Sequence, residues 1–180
     1  MLFRSELFAR LMDRTLGTRF RVINGYPGGN DINLAMERGE IGGRASYSWS
    51  SLKSLNADWL ANGKVNILVQ IGLRKAPDLP DVPLLVDLVP EGIDHEVVRL
   101  FSASLELGRV YLAPPNVPAP RVAILRQAFI NTVADGYFLD EAHRLGVDVN
   151  PTDGETVQKI ITSLVAEPPA VVEKARTFLP

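Results

Sequence analysis

The run Val65-Asn66-Ile67-Leu68-Val69-Gln70-Ile71 constrains this chain more than any other stretch, because it is strand-length and largely apolar. A run of that kind is expected to be buried on both faces of a parallel sheet that helices cover. Residues 19–24 alternate polar and apolar side chains and read as a strand, residues 41–47 as a second, and residues 109–113 as one more. Helical patterns lie between them. Leu7, Phe8, Leu11, Met12 and Leu16 make a stripe closed by Gly17, and Ile32, Ala35 and Met36 make a short face ended by Gly39. Residues 48–51 fit the cap of one helix carrying Leu52, Leu55, Trp59 and Leu60, which Gly63 stops. Strands that alternate with helices predict an α/β layer.

Pro77, Pro80 and Pro83 force an irregular connection, since each removes a backbone donor and restricts its predecessor. Helices are expected at residues 84–89 and 95–105. Beyond Pro120 the pattern turns helical, with stripes through Val122, Leu125, Phe129, Ile130 and Val133, through Phe138, Leu139, Ala142 and Leu145, and along residues 157–165. At 180 residues the chain has room for one ordinary domain or two small lobes. The shift in pattern divides it into an α/β lobe at 1–108 and a mostly helical segment at 109–180.

Charge and composition exclude several functions. A net charge of -2 lacks the basic excess of a nucleic-acid binder, and the absence of cysteine rules out disulfides, thiolate metal sites and a cysteine nucleophile. No apolar stretch approaches the roughly 20 residues of a membrane span, so a soluble protein is expected. Arg4, Glu6, Arg10, Asp13 and Arg14 interrupt the place where a secretory signal would need an apolar segment. His95 and His143 have no second ligand type at a metal-binding spacing, and Asp78 and Asp81 read as turn residues among prolines. With no catalytic constellation, no cofactor and no metal site, the expectation is a protein that is not an enzyme.

Two segments are candidates for binding. Gly25-Tyr26-Pro27-Gly28-Gly29-Asn30-Asp31 places glycines between a strand and a helix start, where backbone amides receive anions; a plain glycine turn fits the same residues. Arg44, Ser46, Tyr47, Ser48 and Trp49 offer a cation, hydroxyls and aromatic faces at a strand end, which suits a carboxylate. Ordinary ion pairing, helix capping and core packing account for the same side chains equally well.

Taken together, several segments resemble the solute receptors of tripartite tricarboxylate transporters, the Bug-type periplasmic binding proteins. They are Gly25-Tyr26-Pro27-Gly28-Gly29, Glu40-Ile41-Gly42-Gly43, Pro77-Asp78-Leu79-Pro80-Asp81-Val82-Pro83 and Leu112-Ala113-Pro114-Pro115-Asn116-Val117-Pro118-Ala119, with residues 135–138 and Leu145-Gly146 in the tail. The resemblance covers the family's second half. It implies part of a type II periplasmic-binding fold: a three-layer α/β lobe plus C-terminal helices that return to the first lobe. It also implies a periplasmic location and a small organic carboxylate as ligand, handed to membrane transport subunits. Tyr26, Pro27, Gly28, Gly29 and Asn30 match the loop that faces the cleft, and residues 46–48 the next strand end. Ser46 stands where many relatives carry Asp or Asn. Half a clamp predicts weak capture unless a partner or second copy covers the cleft.

Two other readings stay open. One is an interaction module that forms a homodimer through Phe129, Phe138 and Phe178, and the other is a small enzyme acting on an anion.

Overall fold

The computed structural model describes residues 3–179, with side chains from residue 5 onward. Among the described residues ten helices follow one another: α1 (Phe3–Leu16), α2 (Gly29–Glu37), α3 (Trp49–Leu55), α4 (Ala57–Ala61), α5 (Leu85–Leu88), α6 (Ile93–Glu106), α7 (Ala119–Val133), α8 (Gly136–Arg144), α9 (Gly154–Val165) and α10 (Pro169–Arg176). No sheet forms among the described residues. Their one β-contact is an isolated parallel bridge between Gln70 and Leu84. The expected α/β class, and with it the three-layer lobe of a type II periplasmic-binding fold, is therefore corrected to a mainly helical architecture.

The physical reason lies in how the two structures close their hydrogen bonds. A helix closes them within four residues, whereas a strand needs a second segment alongside it. Residues 19–24, 41–47, 65–71 and 109–113 carry strand-type side chains, yet apart from the Gln70 bridge none lies against a partner. Residues 19–24 instead run exposed beside α1, with Phe20 N and Thr18 Oγ1 donating to Asp13 and Asn24 Nδ2 donating to Glu6. The single helix expected after residue 48 is also corrected. It breaks at Asn56, whose φ of -133° and ψ of 39° interrupt the helical path between α3 and α4.

The core sits where α1, α5, α6 and α10 meet. Phe8 and Leu11 of α1, Leu85 of α5, and Val97 and Val98 of α6 are fully enclosed, with Val171, Ala175 and Phe178 closing the far side. Val69 and Ile71 pack against this cluster from the extended run. Phe178, expected at a dimer surface, is only 3% exposed, and the Arg14 guanidinium lies 4.8 Å from its ring centre. It is a core residue, because the turn after α10 folds it back onto α1. Arg14 Nη1 also donates to the Thr177 carbonyl at 2.9 Å.

Ala35 of α2, Leu52 of α3 and Trp59 of α4 are buried outside that core, and the Trp59 indole ties α4 to α2 by donating to Glu37 Oε1 at 2.8 Å. Neither α7 nor α9 has a buried residue. Gly154, at the first turn of α9, meets the Arg126 side chain of α7 so closely that a Cβ there would lie 2.8 Å from Nε. No described helix is long and apolar enough to cross a membrane.

Candidate functional site

Arg44 is the centre of the best-defined polar cluster. Its Nη1 donates to Asn33 Oδ1 at 2.7 Å and to the Gly29 carbonyl at 3.1 Å, and its guanidinium stacks 4.1 Å from the centre of the Tyr47 ring. Asn33 sits buried on the inner face of α2. Its Nδ2 reaches the Tyr47 hydroxyl at 3.2 Å and Asn56 Oδ1 at 3.1 Å, and Tyr47 donates to the same Asn56 oxygen. One amide thus orients both the cation and the phenol.

The charge at this place has no acidic partner among the described residues. Among the described residues the guanidinium's hydrogen bonds come from Nη1 and none from Nη2, and Nε is buried without one. Burial pushes the Arg44 guanidinium below its usual pKa. It stays protonated, since arginine does not titrate in the working range, so the site keeps an under-compensated positive charge. Gly29 makes the geometry possible: a Cβ at that position would stand 2.9 Å from Arg44 Nη2. Asp31 lies in the first turn of α2, its Oδ2 near Gly28, and supplies the helix start with a negative side chain of its own.

Of the residues expected to bind, Gly29, Arg44 and Tyr47 come together here, while Gly28 caps the start of α2. Ser46 precedes Tyr47 with a φ of 58°, a left-handed conformation that Asn and Asp tolerate better than Ser. Ser48 turns away to share a hydrogen bond with Ser50. Tyr26, Pro27 and Asn30 make no hydrogen bond to the cluster. Asn33 and Asn56 were missed by sequence reasoning. The signal was there for Asn33, a polar residue inside the apolar stripe of Ile32, Ala35 and Met36, but nothing local marks Asn56.

Trp49 and Asp78 belong to a separate contact. The indole donates to both Asp78 carboxylate oxygens at 2.9 Å, and Lys53 Nζ donates to Oδ2 at 3.1 Å. The indole bond first, then the lysine, holds the Asp78 carboxyl below its ordinary range. Lys53 also lies 3.7 Å from Asp148, so this contact ties α3 to the loop after α8. His143 lines the shallow pocket beside it. No group of three potential metal ligands occurs among the described residues. The chain matches no family model, no curated protein and no solved structure.

Proposed function

We propose that the chain binds a small organic carboxylate at Arg44 and serves as a solute receptor that passes this ligand to membrane transport subunits. The supporting observation is the guanidinium itself, half-buried, oriented by Asn33 and Tyr47, and lacking an acidic partner. A carboxylate that accepts from Nη2 compensates that charge in a partly desolvated place, where a charge-assisted hydrogen bond is stronger than in water. The neighbouring groups bind and orient; none of them is placed to transform the ligand. The segments that resemble tripartite tricarboxylate transporter receptors support the same ligand class and a periplasmic setting.

The test is a thermal-shift panel of di- and tricarboxylates, amino acids and aromatic acids, run on the wild type and on Arg44→Met. A saturable rise in Tm with one acid, absent in Arg44→Met, supports the reading. No rise with any acid overturns it, as does a rise that Arg44→Met retains.

A further inference from the structure

The run 65–71 has two edges, and the Gln70 bridge occupies one of them. Gln70 N donates to the Pro83 carbonyl at 2.8 Å, and the Gln70 carbonyl accepts from Leu85 N at 2.8 Å. The Gln70 side chain locks this register through Leu79 O, Val82 O and Ala76 N. In an extended chain the N–H and C=O of one residue point to the same edge, and those of its neighbours point to the opposite edge. With Gln70 turned toward residues 83–85, the backbone groups of Val65, Ile67 and Val69 point to the other edge. Among the described residues no backbone group of residues 65–69 has a hydrogen-bond partner. The side chains follow the same period of two: Val65, Ile67 and Val69 are half-buried, while Asn66 and Leu68 are exposed, Leu68 at 73%.

We propose that residues 65–69 pair antiparallel with the same residues of a second copy of this chain, making a two-fold homodimer. Centred on Ile67, the pairing sets Ile67 against itself and Val65 against Val69, so all three residues use their free-edge groups. The sequence suits self-pairing, because no charged residue occurs between Lys64 and Arg74 and no like charges meet across the axis. Lys64 would face Gln70. An uncovered apolar edge of this kind recruits another strand unless charge or proline blocks it.

Light scattering on size-exclusion eluates of the full chain, across a concentration series, reads the mass directly. The expected results are a dimer for the wild type and at least about a tenfold rise in dimer Kd for Ile67→Pro, which deletes the central donor on both copies. Asn66→Pro stiffens the same stretch but removes a donor from the opposite edge, and Leu125→Lys alters the exposed face of α7; both are expected to remain dimers. A wild type that stays monomeric overturns the proposal. So does a dimer that survives Ile67→Pro, or one that Leu125→Lys dissolves. Hydrogen exchange on the wild type decides the matter even where a variant fails to fold: amides of Val65, Ile67 and Val69 gain protection with concentration while those of Asn66 and Leu68 do not, and equal or absent protection overturns the pairing.

Discussion

Helices α6 and α7 are nearly equal in length and in overall apolar content, yet the apolar residues of α6 gather on one face while those of α7 are spread around the helix; the first forms the centre of the core and the second buries nothing. Val97, Val98, Ser102 and Ala103 of α6 are enclosed by α1, α5 and α10. The stripe of α7, through Leu125 and Phe129, meets α8 and the ring of Tyr111, 6.0 Å away. Tyr111 itself is 86% exposed. Apolar content is therefore a capacity for burial, realised where it is gathered on one face and other elements converge on that face.

Paired truncations test that contrast most strongly. Leu85→Ala, at a side chain with no exposed surface, is expected to cost about 3 kcal/mol in urea unfolding. Leu125→Ala, at 59% exposure, is expected to cost no more than about 0.5 kcal/mol. Equal losses at the two positions would mean that α7 is covered in solution. Next in size is Arg99, which joins Glu96 on α6 to the buried Glu167 ahead of α10. Arg99→Met leaves Glu167 without its cation and is expected to lower stability by about 1–2 kcal/mol, after allowing for the solvent exposure of the guanidinium. If Arg99→Met were neutral, the joint between α6 and α10 would be held by apolar packing and the Lys174–Asp94 ion pair.

Ser102 allows a gain in place of a loss. Its hydroxyl is fully buried in the core without a hydrogen-bond partner, so Ser102→Ala is expected to raise stability by about 1 kcal/mol. A loss on that substitution would reveal a bond the hydroxyl makes in solution. The smallest effect is on pH dependence. The hydrogen bond from Arg99, with its charge, holds the Glu96 carboxyl below its ordinary 4.5. A depressed folded pKa contributes stability that is fully present above 4.5 and disappears as the pH falls through the folded value. Urea midpoints measured from pH 7 down to 3 should therefore stay level to about 4.5 before this contribution declines, and Arg99→Met should flatten that part of the decline.

The helical elements were largely legible in the sequence. Gly17, Gly39 and Gly63 mark three ends, all at positive φ, and Asp135 and Asp153 accept from the first-turn amides of α8 and α9. At the candidate site, the glycine loop and Arg44 were legible as types of residue. Their grouping was not, because Asn33 lies within α2, Tyr47 ahead of α3 and Asn56 between α3 and α4, and the three meet only in the folded chain. Phe178 was misplaced for a related reason. Its sequence neighbours give no sign that α10 returns to α1.

What the sequence by itself determined is where helices start and stop, because helix bonds, caps and glycine turns are satisfied within a few residues. Only the tertiary structure decided which apolar stripes are buried, that the four strand-like runs form no sheet among the described residues, and that Arg44 is half-buried there without an acidic partner. Each of these depends on segments far apart in the chain coming into contact, and strand pairing, burial and charge compensation are all properties of such contacts.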